Sequence, residues 1–301
     1  MIYRCRKCGQ LKEGIKLKSY NLKLCFNCFI DFFLKRVETT ISKFKMFTKK
    51  QKLLVAVSGG KDSLALAKAL KELEYNLTLF HLNTNIKEND YAEKSLEKVK
   101  NFAEKEKLPL IIRDLEKEIG APLKTAAKVF KKEICGVCGF IRRYIMNREA
   151  KNFDVILTGH TLNDEVGSLL ASFLYWKEGF IRRQAPILKE EDSLKRKAKP
   201  LALISEFETL SFCKIVKIDF LEMRCPYRGG TYLFFKKIVD EIETNIPTTL
   251  LGFYKGFLKR KKFFSKLGKK EKLAPCIRCG YLTSAGICNF CRLKEKLKEL
   301  K

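Results

Sequence analysis

Residues 52–63 read KLLVAVSGGKDS, and the order of types within them points to one local structure. Leu53, Leu54, Val55, Ala56 and Val57 form a short apolar run that suits a buried strand. Ser58-Gly59-Gly60 ends the run, and Leu64-Ala65-Leu66-Ala67-Lys68-Ala69-Leu70 supplies strong helix formers, so a helix opens near Ser63. A strand, a glycine turn and a helix in that order build an anion site. Glycine lets the backbone approach an oxyanion, and the free N–H groups of the first helical turn point at it. The spacing from glycine to lysine is too short for the G-x-x-x-x-G-K-S/T loop of ordinary nucleotide hydrolases. A strand-to-helix turn without a ligand is the other reading of a bare Ser-Gly-Gly.

Outward from this stretch, Leu77–Leu82, Leu110–Arg113 and Asp154–Thr158 read as further strands, and Cys213–Asp219 as a fifth. Asn89–Lys107 has helical periodicity and stops before Pro109. Strands alternating with helices imply an α/β fold with a doubly wound parallel sheet, whose ligands sit beyond the carboxyl ends of the strands. That brings Ser58–Ser63, the segment from His81 to Ile86 and the segment from Thr158 through Gly159 to Glu165 near one another. Asn163 or Asp164 could cap the helix that follows, or a carboxylate there could hold magnesium or move a proton.

Ser58-Gly59-Gly60-Lys61-Asp62-Ser63 resembles the pyrophosphate loop of the PP-loop ATP pyrophosphatases, which cleave ATP to AMP and pyrophosphate while adenylating a substrate. The resemblance implies that Ser58, Gly59, Gly60 and Ser63 cradle the pyrophosphate and that Lys61 neutralises it. It makes His81 and Gly159 candidate cofactor contacts, and Asp62 and Asp164 candidates for Mg2+ or proton transfer. Two features depart from the family: Thr161 and Asn163 interrupt its Gly-His-Asn-x-Asp-Asp stretch, and Asn85 stands where glycine is usual.

At 301 residues the chain can hold one sizeable core and small appendages. No apolar run approaches the roughly 18 residues that span a bilayer, and Met1–Gln10 is no signal peptide, so a soluble, cytoplasmic protein with no membrane partner is expected. Lysine and arginine number 62 against 34 acidic residues, a net charge of +28. A surface this basic suits a nucleic acid, although lysine-rich usage also follows habitat and genome composition.

Ten of the twelve cysteines fall in five C-x-x-C pairs, a spacing for metal rather than for disulfides. Cys5, Cys8, Cys25 and Cys28 form one four-thiolate set, and Cys276, Cys279, Cys288 and Cys291 another. Each set reads as a ribbon closed around structural Zn2+, with iron as the other candidate. Residues 29–50 read as a connecting helix. Lys259-Arg260-Lys261-Lys262 with Phe263 and Phe264, then Lys269-Lys270, suits an RNA backbone or a solvated linker. A terminal helix is expected from Leu293 to Lys301. The organisation expected is therefore a ribbon at 1–30, the connecting helix at 31–50, the ATP-binding domain at 51–258, and a basic linker with a second ribbon at 259–301.

The pair Cys135/Cys138 has no second pair near it, and Cys225 stands alone in Met223-Arg224-Cys225-Pro226-Tyr227. Three thiolates leave one coordination position open. They suit a 4Fe-4S cluster with one iron free for sulfide, and a redox pair is the other reading. Cys213 reads as a buried core residue.

Cys135-Gly136-Val137-Cys138-Gly139, the Arg142-Arg143 that follows, Cys225-Pro226-Tyr227 and the flanking ribbons are similar to the tRNA 2-thiolation enzymes of the TtuA type. That resemblance implies adenylation of the O2 of a tRNA uridine by ATP, followed by replacement with sulfur. It further implies that Cys135, Cys138 and Cys225 hold the cluster. The sulfur would come from a ubiquitin-like thiocarboxylated carrier protein or from inorganic sulfide, and a homodimer is expected. Position 54 of the T-loop is the implied target, with the wobble uridine as the alternative. Arg142 stands where a catalytic lysine is usual, and an arginine holds charge without shuttling a proton. A PP-loop ligase without sulfur chemistry would leave the three thiols idle, and a non-catalytic RNA-binding ribbon protein would leave the ATP loop idle.

Overall fold

The apolar run at 53–57 is a strand at the heart of a six-stranded sheet in a computed structural model, which describes residues 1–268 and 272–299. The chain opens with β1 (Ile2–Arg4), β2 (Leu11–Leu17) and β3 (Leu22–Cys25), an antiparallel sheet, followed by α1 (Phe26–Lys43). The core comprises β4 (Leu53–Ala56), α2 (Lys61–Glu72), β5 (Leu77–Asn83), α3 (Tyr91–Glu106) and β6 (Leu110–Asp114). It continues with α4 (Leu115–Ile119), α5 (Leu123–Phe130), α6 (Ile134–Glu149), β7 (Val155–Thr158), α7 (Leu162–Leu174) and α8 (Glu178–Arg183). Then come β8 (Ile187–Leu188), β9 (Lys197–Ala198), α9 (Glu206–Ile215), α10 (Thr231–Asn245), α11 (Thr249–Lys259) and α12 (Lys261–Phe264). A hairpin of β10 (Ala274–Pro275) and β11 (Leu282–Thr283) leads to α13 (Asn289–Lys298).

The sheet runs β6-β5-β4-β7-β9-β8, parallel except for the edge strand β8. Leu53 pairs with Leu77 on one side and with Val155 on the other, so the chain reverses its direction of winding between β4 and β7. Ligands of such sheets bind in the crevice beyond that switch point.

Both faces are covered, as the near-continuous apolar strands require. Alternation sends Leu53, Val55, Leu79 and Leu157 to a core shared with α1, α2 and the N-terminal ribbon. It sends Leu54, Phe80, Leu82 and Ile156 to a core shared with α5, α6 and the C-terminal ribbon. The two ribbons thus dock on opposite faces of one sheet. Phe33 stacks on Phe212 at 4.2 Å on the first face, and Tyr144 on Phe290 at 3.9 Å on the second. The fully buried Phe33 and Phe212 each contribute about 2–3 kcal/mol.

One expected strand is corrected. Cys213 lies in α9, because Ser205 and Glu208 form a capping box that starts a helix. The Ser205 N–H donates to Glu208 Oε2 at 2.8 Å, and Glu208, Thr209, Phe212 and Cys213 are buried at helical spacing. The fifth parallel position is taken by β9. Cys213 is buried, as expected of a core thiol. The basic stretch is also reassigned in part. Lys261 turns inward, its Nζ donating to the carbonyls of Arg182 and Gln184 at 2.6 Å each, where the C-terminal end of α8 favours a cation. Phe264 packs on Phe257 at 5.0 Å, and Lys269-Lys270 lie outside the described residues.

Candidate active site

The loop at 58–63 closes against α3 and α9. Gly59 has φ +76°, and a Cβ there would lie 2.8 Å from the carbonyl of Ser95. Both the conformation and the space demand glycine. Ser95 Oγ donates to the Ser58 carbonyl at 2.9 Å, and the Ser58 N–H donates to Ser63 Oγ at 3.1 Å. Gly60 is the N-cap of α2, with no side chain occupying the donors of the first turn.

Lys61 Nζ is held by Asp62 at 2.7 Å and by Glu206 of α9 at 2.9 Å. Glu206 is bound in turn by Lys236 of α10, and Thr209 donates to Asp62. Burial raises the Asp62 carboxyl to about 6, with Lys61 pulling it down and Glu206 pushing it up. Its folded value thus lies above the unfolded one, so between about pH 4 and 6 the native state binds more protons. This group's contribution to stability falls as pH rises through that window. Asp62→Asn is expected to remove that slope and to gain on the order of 2 kcal/mol over wild type at pH 7 relative to pH 4. Denaturant unfolding of both proteins across the window checks it, and parallel curves would contradict it.

The loop after β7 meets the first turn of α2. A Cβ on Gly159 would stand 2.8 Å from the N and Cα of Ser63, so glycine is what allows the two loops to touch. His160 is solvent-exposed, yet the surrounding protein and Lys199 lower its basicity, and its Nδ1 meets Thr158 Oγ1 at 2.8 Å. Thr161 is the N-cap of α7, and Asp164 closes a capping box by accepting from the Thr161 N–H at 3.0 Å. The cap is therefore Thr161 rather than Asn163 or Asp164. Asn163 instead bridges Asp240 and the N–H of Glu206 at 3.1 Å each. His81 is placed inside, 3% exposed, its Nδ1 on the Val57 carbonyl at 2.9 Å. It ties β5 to β4 instead of presenting an imidazole to solvent. Asn85 adopts φ +55°, a conformation asparagine tolerates where glycine is usual.

The three odd thiols come together. Cys135 and Cys138 lie in the opening turns of α6, and Cys225 packs against the same core as Cys138. Burial raises the Cys135 thiol, Cys225 and Cys138 raise it further, and Arg228 and Arg142 oppose them. Arg142 Nη2 lies 3.6 Å from Cys138 Sγ. The surrounding protein disfavours its charge although the residue reaches solvent, and Cys138, Tyr91 and Cys225 more than restore it. Tyr91 feels Cys225, Arg142, Arg228 and Cys138 in turn.

One segment joins the two halves. The Leu221 N–H donates to the Gly59 carbonyl at 2.8 Å, and six residues on the Tyr227 carbonyl accepts from Cys135 Sγ at 2.6 Å. Six extended residues span at most about 20 Å. The segment is pinned by Tyr227, whose hydroxyl meets Glu88, itself bound to Lys124 at 2.5 Å.

Among the described residues, the thiol sets close enough to share a single ion, within 4.8 Å, are the two four-cysteine sets. Cys135, Cys138 and Cys225 are not such a set. In each ribbon one thiol is primed. Burial raises Cys5 and Cys276, but backbone N–H groups outweigh it and bring each to about 6. The sequence reading missed Glu206, Thr209, Lys236, Tyr91 and Arg228. Of these, only Glu206 and Thr209 had a local signal, the S-x-x-E box that starts their helix.

The profile of the PP-loop domain matches residues 33–223, more than half of the chain. The tRNA-5-methyluridine(54) 2-sulfurtransferase of Thermotoga maritima is 40% identical, over 99% of this chain and 98% of its own length. The protein of the same name from Thermus thermophilus is 36% identical, over 96% of this chain and 90% of its own. The U34-tRNA thiolase of Methanococcus maripaludis, solved with its 4Fe-4S cluster, shares the fold with a TM-score of 0.82 and 24% identity, over 99% of this chain and 97% of that one. Identity at this level along the whole length, together with the profile match, means that the chain belongs to the PP-loop family and, within it, to the tRNA 2-sulfurtransferases.

Proposed function

We propose that the protein replaces the 2-oxygen of a tRNA uridine with sulfur, at T-loop position 54, while ATP is cleaved to AMP and pyrophosphate. The observation that carries this reading is the 221–227 segment, which ties the 58–63 loop to the neighbourhood of Cys135 and itself carries Cys225. The relatives named for position 54 match nearly the whole chain, which favours that uridine over the wobble position.

Ser58, Gly59, Gly60 and Ser63 would receive the polyphosphate of ATP. Lys61, now between two carboxylates, would turn its charge to the phosphates. Asp62, with Glu206 beside it, offers hard oxygen donors for Mg2+. Asp164 can serve only from within its capping box. Cys135, Cys138 and Cys225 would hold a 4Fe-4S cluster, which supplies an open iron position for sulfide. Arg142 stabilises negative charge beside Cys138, and Arg228 lies where it acts on both Cys135 and His160. Cys5, Cys8, Cys25 and Cys28 would bind one Zn2+, and Cys276, Cys279, Cys288 and Cys291 another. Sulfur would arrive on a ubiquitin-like thiocarboxylated carrier or as sulfide, and the enzyme would work as a homodimer in the cytoplasm. No helix among the described residues is long and apolar enough to cross a membrane.

The test is incubation of an unmodified tRNA transcript with the anaerobic enzyme, ATP, magnesium and sulfide, followed by nucleoside mass spectrometry. One oxygen-to-sulfur exchange mapping to position 54 is expected. Exchange at the wobble base would move the target, and AMP formation without exchange would favour a ligase.

A further inference from the structure

We propose that the end of α7, the start of α8 and the start of α10 form a second RNA contact, on which an unpaired base of the substrate stacks; this rests on the tRNA reading above. Trp176 is the single tryptophan of the chain and is 74% exposed. It has φ +47°, a left-handed conformation that a bulky side chain rarely adopts. Backbone bonds hold it there: the Trp176 N–H donates to Phe173 at 3.1 Å and the Lys177 N–H to Ser172 at 2.8 Å. The main chain from which the exposed ring projects is thus held in place.

It does not stand alone. Tyr175, Phe180 and Phe234 are 54%, 59% and 61% exposed. Phe235 links two of them, meeting Tyr175 edge-on at 6.1 Å and Phe234 at 5.6 Å. Exposed rings joined through a buried one, as Tyr175 and Phe234 are through Phe235, are what an interaction surface presents. Its charge identifies the partner. Lys177 lies 5.0 Å over the Tyr175 ring and Arg183 lies 5.5 Å over Phe180. Glu178, the acid in this stretch, faces Gly268 instead. Rings interleaved with cations on a chain of net charge +28 suit bases and phosphates. The surface also lies within reach of the cleft. The 13 residues of α7 carry the chain about 20 Å from Thr161, and α10 begins three residues after Arg228.

Because Trp176 is the single tryptophan, its emission reports this surface alone. Titration with unmodified tRNA is expected to quench it along the same isotherm as the anisotropy of labelled tRNA. Trp176→Ala is expected to weaken tRNA binding about five- to a hundredfold, and Trp176→Phe to retain most of it. Unchanged emission at saturating tRNA would overturn the contact while leaving the thiolation reading intact. Emission of the wild type that depends on protein concentration without RNA, with self-association by sedimentation lost in Trp176→Ala, would assign the surface to a second copy and also overturn it. Absence of any tRNA binding would remove the thiolation reading first, and this contact with it.

Discussion

Gly159→Ala is expected to lower ATP affinity by on the order of a hundredfold, with the protein still folded. The added methyl would lie 2.8 Å from the main chain of Ser63, which has no flexible end to move aside. The first turn of α2 must shift, and Lys61, Asp62 and Ser63 shift with it. A displacement of about 1 Å in such a site costs about a hundredfold, while overpacking costs about 1–3 kcal/mol of stability. Gly252→Ala is the control, since nothing lies within 4 Å of a Cβ there and the site is helical. Calorimetry with a non-hydrolysable ATP analogue measures both. Equal affinity in the two variants would mean that the loop after β7 does not position the nucleotide.

Cys225→Ser is expected to lower thiolation by at least two orders of magnitude, about 3 kcal/mol of barrier, while ATP affinity stays within about a factor of two. Cys225 acts on Cys135 and on Arg142, but the nucleotide loop meets the segment through the main chain of Leu221. A hydroxyl in place of the thiol leaves that bond untouched. Cys213→Ser is the contrasting case, because Cys213 Sγ donates to the Lys61 carbonyl at 3.4 Å beneath the loop. Loss of ATP binding in Cys225→Ser would show that the thiols support the loop instead of the sulfur chemistry.

The sequence made the centre of this molecule legible because the centre is local. Leu53–Val57 followed by two glycines leaves little choice of structure, and C-x-x-C pairs declare their geometry at short range. Asn85 was readable as a departure, and its left-handed backbone explains why asparagine can stand there. The parts that escaped are long-range. Glu206 meets Lys61 across 145 residues, and no period in the sequence announces that pairing. The strand expected from Cys213 to Asp219 fails because an apolar run of that length suits strand or helix, and the Ser205–Glu208 box that decides the matter lies upstream. The inward turn of Lys261 shows the same limit, since a basic run reveals composition but not which cation caps a helix. Trp176 is a third case: one exposed ring is unremarkable in sequence, and only the fold brings Phe235, with Phe234 beside it, against the neighbouring Tyr175.

Sulfur transfer at Cys135, Cys138 and Cys225, beside the ATP loop, is the central proposal. Metal and sulfide analysis of anaerobically purified protein tests that most directly, with Cys225→Ala alongside. About four irons and four sulfides per chain are expected, with about two zincs, and with iron but not zinc lost in the variant. Zinc without iron, even after anaerobic reconstitution, would contradict the account and leave the three thiols without a cluster.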